Sequence, residues 1–191
     1  MARREHDFYP TPSWCVDRLL DAVPLPGSNF LEPCSGTRGI CSAVDAWQER
    51  EGSGPARWTT VDINPIHMPT HCADFVSPSW ASGGNVLGDR MFDAVITNPP
   101  YSLALDFVKQ SLRHTSFVAA LLRLNWLASA QRHHWLSRNM PDVFVIPERP
   151  SFTGDGKTDG CDYAWMVWRN GIGNGGTIQV LDRTPVERRR G

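Results

Sequence analysis

Phe30-Leu31-Glu32-Pro33-Cys34-Ser35-Gly36-Thr37-Arg38-Gly39 reads as an apolar strand that runs into a glycine-bearing turn. Asn29 to Leu31 supplies the strand and Ile40 to Arg50 reads as helix, so the turn joins strand to helix, the first step of an alternating α/β pattern. Gly36 and Gly39 let the backbone take positive φ or come close to a ligand. The helix that follows offers free N–H groups to an anionic group. Arg38 lies between them, and Gly39 is expected to supply the backbone freedom that an arginine lacks. A glycine turn by itself is a weak signal, because many such turns only connect elements.

Outward from this turn the alternation continues. Before it, Tyr9-Pro10-Thr11-Pro12-Ser13 is stiff, with Thr11 suited to cap a helix and Pro12 to its first turn. Ser13 to Ala22 then places Val16, Leu19 and Leu20 on one helical face. After it, Glu51 to Pro55 is a loop, Trp58 to Val61 a second strand ending in Asp62, and the stretch with Pro65, Pro69 and Pro78 is rich in turns. Phe92 to Ile96 predicts a strand, Leu103 to Leu112 a helix, and Phe117 to Leu122 a strand buried on both faces. Ala128 to Asn139 predicts a last helix. Val143 to Ile146 and Tyr163 to Trp168 form a final strand pair, and Thr177 to Leu181 adds an edge strand.

In open α/β sheets, ligands sit beyond the carboxyl ends of the strands. Three polar clusters fall there: Glu32 to Gly39, Asp62, and Asn98-Pro99-Pro100-Tyr101. Asp62 closes a strand thirty residues after Glu32, whereas dinucleotide folds place a ribose-binding acid about 20 residues on. The loop from Glu51 to Ala56 accounts for the extra length. A strand-ending aspartate is common; combined with the glycine turn it favours a nucleoside-containing cofactor. The Asn-Pro-Pro-Tyr tetrapeptide is more specific, arising by chance in roughly one chain in a thousand of this length. Two prolines make a rigid turn without N–H donors, so the Asn98 side chain and the backbone carbonyls stand as fixed acceptors. Such acceptors suit an NH₂ group whose nitrogen gains positive charge as it attacks a methyl carbon. Tyr101 offers a flat face on which a base can stack.

Composition narrows the field. The chain has 191 residues, 41% hydrophobic and 20% charged, with a net charge of −1; this is an ordinary globular balance, and a single domain is expected. Arginines are local instead: Arg3 and Arg4 near the start and Arg188 to Arg190 near the end would suit a phosphate backbone. No apolar run approaches the ~20 residues of a membrane helix, and the first residues lack a signal-peptide core, so no membrane partner and a cytoplasmic location are expected. Five cysteines without paired spacing argue against a disulfide framework. His67, His71 and Cys72 lack the further ligand that zinc needs, so no metal is expected. Eight tryptophans are read mainly as core and loop anchors.

These residues together resemble the S-adenosylmethionine-dependent amino-methyltransferase family of DNA adenine-N6 and cytosine-N4 methyltransferases, with RNA and protein-glutamine relatives. The likeness runs from Asp7 to about Trp168, in the gamma order of motifs. Asp7-Phe8-Tyr9-Pro10-Thr11-Pro12 looks like the family's N-terminal cofactor segment, and Phe30 to Gly36 like its glycine motif. Val61-Asp62-Ile63-Asn64 is similar to its ribose-binding strand end, and Ala73-Asp74-Phe75 to the motif whose aspartate meets the cofactor's adenine. The resemblance implies S-adenosylmethionine as cofactor, held by Tyr9, Thr11, Glu32, Pro33, Cys34, Gly36, Asp62, Ile63, Asp74 and Asn98. It implies catalysis by Asn98, Pro99, Pro100 and Tyr101. Phe152 would pack on the target base with Tyr101, and Arg149 and Lys157 would hold phosphates.

The implied fold is a Rossmann-like domain with a mostly parallel seven-stranded sheet and an antiparallel strand in the final hairpin. The implied partner is DNA, with a flipped or unpaired adenine; an RNA base or a protein glutamine is the alternative acceptor, and a scaffold with a degenerate cofactor site the non-enzymatic one. With no separate target-recognition domain expected in 191 residues, target choice would fall to loops, termini, or a partner subunit or second copy. A cytosine-C5 mechanism is set aside, because Cys34 lies in the cofactor turn and not on the catalytic loop.

Overall fold

Two-residue periodicity in the apolar strands decides which helix covers which face of the sheet. The computed structural model describes residues 10–79, 85–152, 158, 160–169 and 176–189. Its strands are β1 (Asn29–Glu32), β2 (Arg57–Asp62), β3 (His71–Cys72), β4 (Ala94–Thr97), β5 (Phe117–Arg123), β6 (Asp142–Val145), β7 (Tyr163–Arg169) and β8 (Ile178–Val180). The helices are α1 (Ser13–Ala22), α2 (Gly39–Arg50), α3 (Ala104–Ser111) and α4 (Ala130–Leu136). Successive strand residues point to opposite faces. Phe30, Ala94, Ile96, Phe117, Ala119, Leu121, Trp165 and Val167 therefore pack with α1 and α2. Leu31, Val95, Val118, Ala120, Leu122, Met166 and Trp168 pack on the other side with α3 and α4. Both faces being covered, β4 and β5 are almost wholly buried, as their unbroken apolar runs require.

The strands form one sheet in the order β3-β2-β1-β4-β5-β7-β6-β8. β7 runs antiparallel to β5 and β6, and the other pairings are parallel. The sheet is thus mostly parallel with an antiparallel strand in its final hairpin, and it has eight strands where seven were expected. The additional one is β3, two residues without any apolar pattern. It is formed by pairing to β2, with Val61 opposite His71 and Asp62 opposite Cys72. Just before it, the Thr60 and Thr70 hydroxyls each accept the other residue's backbone N–H, at 2.9 and 3.1 Å. Tertiary context, not propensity, makes this strand.

Asp93 fixes the register at the opposite end. Its Oδ2 accepts the N–H groups of Ser28 (2.8 Å) and Asn29 (2.9 Å), tying the start of β1 to that of β4. These two backbone bonds hold its carboxyl below the usual carboxylate range. β4 begins at Ala94, later than the apolar pattern suggests, because the Phe92 N–H turns to the His114 carbonyl at 2.8 Å. The helix expected over Ala128 to Asn139 is shorter, with a 3₁₀ turn at Leu124–Leu127 ahead of it. Trp14, Trp126, Trp165 and Trp168 are core anchors; the Trp165 indole N–H donates to the Cys15 carbonyl at 2.8 Å, joining β7 to α1. Among the described residues no helix is long and apolar enough to cross a membrane.

Chain order reverses between β1 and β4: from β1 the sheet grows outward through β2 and β3, then restarts at β4 on β1's other side. Their carboxyl ends therefore part and leave a crevice.

Candidate active site

That crevice holds a cavity of about 620 Å³, lined by residues from the turn after β1, the ends of β2 and β3, and the loop after β4. The turn is built by backbone hydrogen bonds to a carboxylate. The Gly36 N–H donates to Asp62 Oδ2 at 2.7 Å, and the Asn64 N–H donates to Asp62 Oδ1 at 2.8 Å. The Ser35 N–H donates to the Val61 carbonyl at 3.0 Å. Asp62 thus organises two strand ends at once.

Gly36 has φ +46°, which glycine takes at no steric cost. The expectation that Gly39 would relieve Arg38 is overturned. Arg38 itself takes the left-handed conformation, φ 65° and ψ 28°, as the N-cap of α2. Gly39 contributes in a different way, since a Cβ there would lie a tight 3.3 Å from the Thr11 carbonyl oxygen and push that segment outward by a few tenths of an ångström. The missing side chain allows the segment before α1 to close over the turn.

Glu32 ends β1 at the cavity floor, 1% exposed. Burial pushes its carboxyl up to about 8 from the ordinary 4.5, with the nearby Thr97 hydroxyl and Cys34 only partly offsetting this. Its Oε1 accepts the Cys34 N–H at 3.4 Å. Its Oε2 is buried without a hydrogen-bond partner, and so is Ser35 Oγ in a residue 7% exposed. Both residues line the cavity. Buried polar atoms without partners are costly, and a polar cationic ligand in this cavity would relieve both. The Cys34 thiol lies 3.0 Å from Thr97 Oγ1 and donates to the Asn98 carbonyl at 3.3 Å; burial holds this thiol well above its ordinary range. Ile63 is 65% exposed and lines the cavity, as Asn64 and Asp74 do. An apolar side chain so placed suits a flat ring laid against it.

The structure brings most of the expected residues together. Thr11, Glu32, Pro33, Cys34, Gly36, Asp62, Ile63, Asp74, Asn98 and Pro100 all line the cavity. Tyr9 and Lys157 lie outside the described residues. Pro99 is buried and Tyr101 half-buried, and neither is among the lining residues. Thr11 does not cap α1, whose N-cap is Pro12 without a side-chain cap bond. Its hydroxyl instead accepts the Asn98 Nδ2–H at 3.0 Å.

Tyr101 faces an aromatic cluster. The Arg123 guanidinium lies 4.6 Å over its ring, Tyr163 is 5.8 Å away, and Tyr163 in turn packs edge-on to Phe152 at 5.1 Å. The Arg123 Nε–H donates to the Tyr163 hydroxyl at 3.2 Å. Phe152 is 4% exposed, a core aromatic that borders a second, shallower groove beside α1 and α2. Arg149 is exposed and paired with Asp162 at 2.8 Å. Arg123 and Tyr163 escaped the sequence reading; the one signal was their position at the carboxyl end of β5 and the start of β7, which pair Arg123 with Tyr163 directly. Among the described residues no three His, Cys, Asp or Glu side chains group as metal ligands.

Comparison with solved structures bears on this arrangement. A protein from Vibrio vulnificus described as the modification subunit of a type I restriction enzyme shares 16% identity at TM-score 0.61, over 98% of this chain and 49% of its own. The methyltransferase subunit of a type I restriction-modification system from Streptococcus thermophilus shares 14% at TM-score 0.64, over 95% and 51%. The chain has the methyltransferase fold. It spans about half the length of those two subunits. A Listeria monocytogenes protein described as a class I S-adenosylmethionine-dependent methyltransferase matches at 12% identity and TM-score 0.59, over 88% of this chain and 62% of its own. No protein-family model and no curated protein matches the sequence.

Proposed function

We propose that the protein transfers a methyl group from S-adenosylmethionine to an exocyclic amino group of a nucleic-acid base, foremost N6 of adenine in DNA. The observation that carries this reading is the meeting of Asn98, at the end of β4, with the floor formed by Glu32 and Ser35 in one cavity at the sheet's switch point. The cavity is of the size that small-molecule cofactors occupy. The likeness to modification subunits supports DNA as the substrate class, and RNA is the alternative acceptor.

The residues present fit the cofactor. Asp62 retains acceptor capacity on both oxygens for ribose hydroxyls, Ile63 supplies an apolar shelf for the adenine, and Asp74 accepts from its amino group. Glu32, ionised, complements the cofactor's positive charge. When bound, the cofactor supplies a methyl group already activated by a sulfonium.

Asn98 Oδ1 and the Pro99 carbonyl accept the two N–H groups of the target amine and favour its turning tetrahedral. With the methyl supplied by the bound cofactor, whose sulfonium would leave as a neutral thioether, the surplus proton on the target nitrogen would pass to water. No strong base is needed, because a methylated ammonium loses that proton readily. Tyr101 offers the base a ring whose one face Arg123 already covers, so stacking uses the other face or displaces Arg123 outward to a phosphate. Phe152, through its neighbour Tyr163, backs this cluster, and Arg149 and Lys157 are the proposed phosphate contacts. Target choice rests with loops, termini or a second subunit.

The test is transfer of labelled methyl to duplex DNA, single-stranded DNA and RNA, followed by nucleoside analysis. N6-methyldeoxyadenosine is expected. Label confined to RNA or protein would move the substrate, and absence of S-adenosylmethionine binding at millimolar concentration would refute the enzyme reading.

A further inference from the structure

Resting on that reading, we propose that Thr11 is a positioning residue which fixes the rotation of the Asn98 side-chain amide, so that Oδ1 and not Nδ2 faces the incoming amine. A primary amide has one accepting end and one donating end. Turned the wrong way, Asn98 would present N–H groups to the N–H groups of its target. Something must therefore hold Nδ2, and it must be an acceptor. Thr11 Oγ1 accepts from Nδ2 at 3.0 Å across 87 positions of sequence.

Two further observations support the assignment. Thr11 stands immediately before Pro12, the N-cap of α1, yet that helix start has no side-chain cap bond. Proline has no side-chain acceptor to offer that helix start, and the Thr11 hydroxyl just before it accepts from Asn98. The residue is also held in place: Thr11 is 8% exposed, lies between Pro10 and Pro12, and packs its carbonyl against Gly39, where any Cβ would come within 3.3 Å. The acceptor is therefore preorganised before substrate arrives.

The experiment is a double-mutant cycle between Thr11→Val and Asn98→Asp, with Thr11→Ser and Thr11→Ala as companions. Thr11→Val keeps the shape and removes the acceptor; Thr11→Ser keeps the acceptor. An aspartate accepts with both oxygens and needs no orientation. With saturating S-adenosylmethionine and DNA, Thr11→Val and Thr11→Ala are expected to lower kcat about 10- to 100-fold, the scale of a misplaced reacting group. Thr11→Ser should hold near wild type, and the KM for S-adenosylmethionine should move little. In the Asn98→Asp background the Thr11→Val penalty should largely vanish. An equal penalty in both backgrounds, or an effect confined to the cofactor KM, would overturn the proposal and make Thr11 a cofactor contact. The side-chain amide NMR signals of Asn98, assigned by their loss in Asn98→Asp, give a readout free of activity. Thr11→Val should shift them and Thr11→Ser should not. Unmoved signals overturn the proposal, whereas shifted signals with no methyl transfer by wild type refute the functional reading alone.

Discussion

On the proposed reading, Glu32 should make cofactor binding a proton-releasing step. Fully buried, its carboxyl ionises at about 8 in the free protein, so at pH 7 only about one molecule in ten carries the charge. A cationic ligand above it favours the ionised form. Binding at pH 7 should thus expel close to one proton, and affinity should climb about tenfold per pH unit from roughly pH 5 to 8 before levelling. The sign for folding runs the other way. Between 4.5 and 8 the folded protein holds a proton that the unfolded chain has lost, so this stabilisation, about 5 kcal/mol from the difference between the two values, is complete below about pH 4.5 and fades as pH rises through 8.

Calorimetry at pH 7 in buffers of different ionisation enthalpy measures the protons released. S-adenosylmethionine carries an amino group that titrates near pH 8 itself, so the comparison is wild type against Glu32→Gln. Wild type should release about 0.9 of a proton more, by the same ratio of charged to neutral forms. Identical slopes for the two proteins would refute the reasoning, as would a cofactor affinity whose pH dependence between 6 and 8 is the same with and without Glu32.

Three further outcomes follow from the same geometry. Asn98→Ala removes an acceptor needed mainly in the transition state and should lower kcat about 10²–10³-fold, by analogy with oxyanion-hole donors, with cofactor affinity retained in calorimetry. Asp62→Ala should weaken S-adenosylmethionine by roughly 1.5–3 kcal/mol and also lower Tm in the absence of ligand, because the Gly36 and Asn64 N–H groups lose their acceptor. Arg38→Gly should raise stability by about 1 kcal/mol, since a left-handed conformation costs a side-chain-bearing residue roughly that much; a denaturant midpoint unchanged or lowered would show that the Arg38 side chain compensates for its backbone.

What was legible in the sequence was whatever periodicity and short-range chemistry encode. α1 spans Ser13 to Ala22 as its apolar spacing demands, and the alternation along Phe117 to Leu122 and Tyr163 to Trp168 sorts side chains to the two faces. The clustering of Glu32, Asp62 and Asn98 followed from one topological rule about strand ends. The rest depended on contacts between distant residues, which no local pattern carries. β3 exists because Thr60 and Thr70 exchange hydrogen bonds. Arg38 takes a conformation its residue type disfavours because Asp62 and Thr11 close the turn from either side of it. Arg123 reaches Tyr101 because β5 pairs with β7, and the Tyr163 hydroxyl accepts from its guanidinium. In sequence Thr11 looks like a helix cap; folded, it serves Asn98. Of these residues, Thr11 and Asp62 line the cavity, while Thr60, Thr70, Arg123 and Tyr163 do not. The cavity was therefore readable as a set of strand ends, while the bond between Thr11 and Asn98 became visible only once β4 and the segment before α1 were brought together.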